Sequence, residues 1–150
     1  MNILENVNLS DYSTMGLGGP AKFLVTIETK MELVEALKWA EERNLPVMMI
    51  GGGSNIVWKD EGYAGLIIVN KIERYETFNE DDVNFYITAG AGENWDTVVE
   101  RTAQAGLTGI EALSLIPGTT GATPVQNVGA YGQEISQTPT TIEDHATEKK

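Results

Sequence analysis

A fold mixing α-helix and β-sheet follows from three observations on this 150-residue sequence. Short apolar runs of strand length recur along the chain, some alternating and some continuous. Two segments carry apolar residues at the 3.6-residue period of a helix lying on a sheet. Two further stretches are so rich in glycine and other small residues that they fit neither a strand nor a helix.

The elements follow in order. KFLVTI (22–27) alternates, with Phe23, Val25 and Ile27 on one face, and predicts a strand. Thr29 and Glu32 form a T-x-x-E capping box. Met31, Leu33, Val34, Leu37 and Ala40 then follow at helical spacing, with Glu35, Lys38, Glu41 and Glu42 largely opposite. Asn44 and Pro46 punctuate the end, so the spacing predicts a helix over 31–43. PVMMI (46–50) predicts a buried strand and GLIIVN (65–70) another, which makes the opening strand, helix, strand, loop, strand, an α/β beginning. NEDD (79–82) reads as a turn with a solvated acidic tip. VNFYITAGAG (83–92) reads as a strand, with Val83, Phe85, Ile87 and Ala89 on one face, running into a small-residue turn. Asn94 caps a helix predicted over 95–105, which carries Trp95, Val98, Val99, Thr102 and Ala103 and closes at Gly106. There is no internal repeat and no interdomain linker, and the tail QTPTTIEDHATEKK (137–150) is polar with little to bury.

Composition narrows the function. With 41% hydrophobic and 21% charged residues the chain suits one globular domain with a sizeable core. No apolar run approaches the roughly 18 residues of a membrane span. The N-terminus has no basic region followed by a long apolar core, so no secretory signal is expected. Cysteine is absent, which excludes disulfides, thiolate metal sites and a thiol nucleophile and agrees with a cytoplasmic location. Ten basic against 22 acidic residues give a net charge of −12, which opposes non-specific binding of nucleic acid. An anionic ligand would have to be held by local dipoles, chiefly backbone N–H groups.

The first glycine stretch, IGGGSN (50–55), supplies such groups without a nearby Lys or Arg. It is not a P-loop, since no Lys-Ser/Thr pair follows. Nor is it G-x-G-x-x-G, because Gly51 and Gly53 fit but Ile56 occupies the next required position. What remains is either a strand–loop–strand nest for a pyrophosphate or a glycine-rich turn with no ligand. The second stretch, LIPGTTGATPVQNVGAYG (115–132), holds four glycines, two prolines and three threonines. Pro117-Gly118 fits the centre of a type II turn. A stretch this long and donor-rich is an unusual plain connector, and together the two loops read as two walls of one elongated ligand site.

With AGAGENW (89–95), GLTGIEALSLIPGTTGATPVQNVGAYG (106–132) and the early STMGLGGPA (13–21), these loops resemble, in order from about 8 to 136, the UDP-N-acetylenolpyruvoylglucosamine reductases, also called UDP-N-acetylmuramate dehydrogenases. The combination of motifs is highly specific; any single piece is weak. The resemblance implies an α+β fold, a two-lobed FAD-binding domain of the vanillyl-alcohol-oxidase (PCMH) type over 3–136. Its first lobe would span about 3–70 and its second about 71–136, followed by the tail, with the substrate domain absent. It implies that Gly51, Gly52, Gly53, Ser54, Asn55 and Ile56 bind FAD at its pyrophosphate. It likewise assigns the second flavin loop to Pro117, Gly118, Gly121, Ala122, Thr123, Pro124 and Asn127, closed by Gly129, Ala130, Tyr131 and Gly132. Ala122 departs from members that carry a hydroxyl there, which removes one cofactor hydrogen bond. FAD is expected to be non-covalent, since there is no Cys and the single histidine, His145, lies outside the matching motifs. A metal site lacks a ligand set for the same reason. Trp39, Trp58 and Trp95 read as core residues, and Tyr131 as either packing or cofactor contact.

The implied reaction is the NADPH-dependent reduction of the UDP-sugar UDP-N-acetylglucosamine enolpyruvate to UDP-N-acetylmuramate in peptidoglycan precursor synthesis. The groups that donate the proton and polarise the substrate would lie C-terminal to GAYG, and this chain stops eighteen residues after Gly132. No catalytic residue is therefore assigned, and Glu111, Glu134 and Arg101 read more simply as surface or packing charges. The chain alone is expected to be inactive. A flavin- or nucleotide-binding module without catalysis, and a structural domain with empty loops, are the other readings of the same residues.

Overall fold

The computed structural model describes residues 1–79, 85–139 and 141–144. Its first part is a four-stranded sheet of β1 (Ile3–Asn8), β2 (Pro20–Ile27), β3 (Val47–Ile50) and β4 (Tyr63–Asn70), ordered β1-β2-β4-β3. β1 is antiparallel to β2, whereas β2 and β3 both run parallel to β4. Helix α1 (Lys30–Glu41) carries the chain from β2 to the far edge, leaving room for β4 between them. β4 is buried from Gly65 onward, as befits a parallel strand covered on both faces. Val25, Ile27, Leu66 and Ile68 pack on Ala36 and Ala40 of α1, where two small side chains let the helix come close. On the other face Leu24, Ile50, Ile67 and Val69 pack with Leu9 and Trp58.

Two expectations need correction here. The first helix is capped as predicted: the Thr29 hydroxyl accepts from the Glu32 amide (3.1 Å) and the Glu32 carboxylate from the Thr29 amide (3.1 Å). The Glu28 amide, foremost, holds the Glu32 carboxyl below its usual range. Yet the helix ends at Glu41, not 43, and Met31 is 71% exposed rather than part of the buried stripe. At about 3.6 residues per turn Met31 lies half a turn round from Ala40, so it cannot share the face that meets the sheet. The second correction concerns β3. Val47, Met48 and Met49 are exposed, because this strand is the sheet's edge and no strand among the described residues pairs with its outer side. β1 was not foreseen; its sequence ILENVN is mostly polar, and it exists through pairing with β2.

The rest of the chain has shorter elements. β5 (Tyr75–Asn79) and β6 (Phe85–Ala89) form an antiparallel pair. The tip at 80–84, including Val83 and most of NEDD, lies outside the described residues, as does His145. Helix α2 (Trp95–Gln104) begins where Asn94 accepts from the Thr97 amide at 3.0 Å. β7 (Gly129–Ala130) and β8 (Gln133–Glu134) make a small hairpin. Trp95, Val98 and Val99 of α2 pack with Ile110, Leu113, Val128 and Ile135 as a separate core. The whole is α+β.

Candidate functional site

β2, β3 and β4 present their carboxyl ends to one side, where ligands characteristically bind in open sheets with parallel strands. The glycine run leaves β3 there. A Cβ on Gly51 would collide with the Thr119 hydroxyl, and one on Gly53 with the Tyr12 carbonyl. Gly53 also has φ of +68° and accepts from the Thr14 amide at 3.2 Å. Gly53 is therefore required by the backbone around it, and a side chain at Gly51 would have to displace Thr119. Gly52 is different: its Cβ would meet only the Gly118 Cα, at an ordinary 3.7 Å, and its φ is not positive. Among the described residues the amides of Gly52, Gly53, Ser54 and Asn55 have no protein acceptor. Bare backbone with free donors suits an anion that approaches too closely for a side chain.

The second stretch meets the first directly. The Ser54 hydroxyl donates to the Pro117 carbonyl at 3.1 Å, and the Asn55 side-chain Nδ2 donates to the Gln126 side-chain Oε1. Gly118, with φ of +134°, passes over Gly52 and accepts from the Trp95 amide at 3.2 Å. The Thr120 amide donates to the Glu93 carbonyl (2.9 Å) and the Gly121 amide to the Ala91 carbonyl (3.0 Å). The AGAG turn and the start of α2 thus hold this loop against the glycine run. Entry to the loop is pinned by Asp96, which accepts from the Leu115 amide (2.6 Å) and the Ser114 hydroxyl (2.9 Å). These bonds hold its carboxyl below the usual aspartate range.

Other predicted site residues are engaged within the chain. The Thr123 hydroxyl donates to the Thr120 carbonyl at 2.8 Å, and Ala122 offers no hydroxyl. Asn127 donates to Glu134 (2.8 Å) and accepts from the Ser136 amide (3.1 Å), so its side chain is spent on bracing the β7–β8 hairpin. Pro124 opens a turn that closes on the Asn127 amide, and Ile56 packs on the cluster around Trp58. Gly129 and Ala130 form β7, followed by Tyr131 and Gly132 with φ of +51° and +84°. Two positive φ values match a type I′ hairpin turn. Tyr131 stands at its tip 94% exposed, so it is not a packing residue.

The tryptophans are packing residues. Trp58 and Trp95 are buried, and Trp39 lies edge-on to Phe23 at 5.0 Å. The charges left over as catalytic candidates also have structural partners. Arg101 lies 3.6 Å from the buried Glu93 carboxylate, with its guanidinium over the Tyr75 ring. Glu111 accepts from the Gly109 amide at 2.5 Å, which lowers its pKa. No group of three His, Cys, Asp or Glu among the described residues is placed to hold a metal.

Sequence reading missed one wall of the site. A cleft of about 390 Å³ lies beside Gly51 and Gly52, lined also by Asp11, Tyr12, Ser13, Thr14, Thr26, Val69 and Lys71. Lys71 corrects the expectation that no cation stands near the glycine loop. Its only signal in the sequence was its place, the first charged residue after the apolar run of β4.

A family model for an FAD binding domain matches residues 21–144. UDP-N-acetylenolpyruvoylglucosamine reductase of Thermobifida fusca is 44% identical over 147 residues, 97% of this chain and 41% of that protein. The Escherichia coli reductase is 39% identical over 132 residues, 88% of this chain and 38% of that protein. Among solved structures, UDP-N-acetylenolpyruvylglucosamine reductase from Thermus caldophilus superposes with a TM-score of 0.69 at 31% identity, covering 89% of this chain and 44% of that one. The chain spans about two fifths of the length of these relatives. Among the described residues no helix is long and apolar enough to cross a membrane.

Proposed function

The chain belongs to the FAD-binding domain family, and on that premise we propose that it is the flavin-binding part of an NADPH-dependent UDP-N-acetylenolpyruvoylglucosamine reductase. The enzyme would form UDP-N-acetylmuramate for peptidoglycan in the cytoplasm. The observation that carries this reading is Gly52, a glycine the fold does not need, flanked by backbone amides with no protein acceptor. Those amides in 51–55 would hold the FAD diphosphate, with Ile56 beneath them on the core side. Hydrogen bonds from N–H to an anion are roughly twice as strong as neutral ones, so several together offset a shortage of cations. Pro117, Gly118, Gly121, Ala122, Thr123 and Pro124 would border the cofactor from the second lobe. Asn127, Gly129, Ala130, Tyr131 and Gly132 would close that border, with the lobes dividing near residue 70.

Bound non-covalently, FAD would supply the hydride chemistry, and the chain's own residues would position it. The Ser54–Pro117 hydrogen bond fixes the spacing of the two loops, and the Asn55–Gln126 contact fixes it again further out. Arg101, Glu111 and Glu134 each have a partner within the chain, which supports reading them as structural charges. General acid catalysis is typically worth about 10²–10⁴ in rate, so the 150-residue chain is expected to bind flavin without turning over substrate.

The test is FAD affinity, read by quenching of flavin fluorescence, for the chain and for Gly52→Val. An added Cβ meets only the Gly118 Cα at 3.7 Å, and a variant that keeps its circular dichroism spectrum should lose flavin binding. A folded Gly52→Val protein with undiminished affinity would overturn the reading. So would steady NADPH oxidation by the chain dependent on the enolpyruvyl substrate, for the claim of inactivity.

A further inference from the structure

The cleft beside Gly51 and Gly52 is lined by residues from the carboxyl ends of all three parallel strands and by the turn that follows β1. Of its lining residues only Lys71 is cationic. The Lys71 backbone is fixed, its amide donating to the Ile27 carbonyl at 2.8 Å across the strand ends. Its ammonium group has no carboxylate partner among the described residues, which is equally true of Lys22, Lys38 and Lys59; Lys71 differs from these in lining the cleft. A lysine that lines a glycine cleft without a carboxylate partner is placed to meet a ligand.

We propose that Lys71 binds the diphosphate of the flavin nucleotide together with the backbone amides of 51–55. The inference rests on the FAD reading above and adds to it a cation that the glycine motif does not contain. Asp11 lines the same cleft and forms no ion pair with Lys71. A carboxylate there repels a simple anion, so the cleft favours a ligand with two kinds of group. Phosphate oxygens face Lys71, and hydroxyl or amino donors face Asp11. A nucleotide has both: a phosphate at one end and ribose hydroxyls next to it. Ser13 and Thr14, which line the same cleft, add hydroxyls of either sense.

The experiment compares FAD affinity of the unaltered chain with Lys71→Gln, Lys71→Arg and Lys59→Gln, at low and high ionic strength. Lys59 is an exposed lysine outside the cleft, so its substitution makes the same change in net charge. Lys71→Gln should weaken FAD binding about tenfold, the scale of one hydrogen bond to a charged group. The deficit should shrink in high salt, where exposed charges are screened. Lys71→Arg should recover most of the affinity, and Lys59→Gln should lose none. Equal affinity of Lys71→Gln and the unaltered chain at low salt would overturn this proposal and leave the FAD reading standing. An equal loss in Lys59→Gln would overturn it too, by assigning the effect to net charge. If the unaltered chain binds no FAD, both fall together.

Discussion

The sheet of β1 to β4 and the loop-rich region that follows are stabilised by different means. In the sheet, Leu24, Val25, Ile27, Leu66, Ile67 and Ile68 are fully buried, and the backbone is satisfied by ladders that need no particular side chain. Beyond residue 90 the strands are two residues long, and the loop is held by individual bonds from Asp96, Trp95, Thr123 and Asn127. Apolar burial is non-directional and tolerant of detail; a loop fixed by single hydrogen bonds is specific at each one. The first region makes a platform, and the second sets a loop in one conformation upon it.

The largest effect should come from the platform. Ile67→Ala, in the central strand and fully buried, is expected to lose about 2–5 kcal/mol in chemical denaturation, from lost transfer energy plus a cavity. A smaller effect separates two buried indoles. Trp95 Nε1 donates to the Leu113 carbonyl at 2.9 Å, whereas Trp58 Nε1 has no partner among the described residues. Trp95→Phe strands a buried acceptor and should cost about 1–3 kcal/mol beyond the change in packing. Trp58→Phe removes a donor with no partner among the described residues, so in the same denaturation assay it should cost no more than the change in packing. Reversed values would show that the sheet, not the loop region, depends on its hydrogen bonds.

The smallest effect is local and depends on pH. Asp96 has its pKa lowered in the folded chain, by the Leu115 amide first and the Ser114 hydroxyl second. Its contribution is therefore present above the ordinary aspartate value of about 4 and is lost as pH falls through the folded value. Acid should release Ser114 and Leu115 before it disturbs the sheet. NMR titration of the Leu115 amide should follow this single step, and Asp96→Asn should abolish it. Simultaneous loss of the β4 and Leu115 signals would contradict the separation of the two regions.

The same contrast explains what the sequence disclosed. α1, α2 and β2 were legible because an apolar face repeats at the period of the element, and β4 because GLIIVN is a continuous apolar run of strand length. β1 was not, since ILENVN has little apolar signal and takes its conformation from β2. VMMI read as buried because apolar content does not say where a sheet ends. At the site, the glycine cluster was visible as a cluster, but not the separate reason for each glycine. Gly51 answers to Thr119 and Gly53 to Tyr12, residues far away along the chain. Lys71 was invisible for a related reason: only the parallel pairing of β3 with β4 brings it beside Gly51.

On the flavin-binding reading proposed above, three adjacent glycines would stand under two different selections. Variants at Gly51 and Gly53 would be purged in any cell that needs the protein folded, with or without a ligand. Variants at Gly52 would persist wherever folding alone is screened and vanish wherever the ligand is demanded. A duplicated copy of this gene that had lost its ligand would be expected to drift first at the middle glycine, leaving its two neighbours as a record of the ancestral fold.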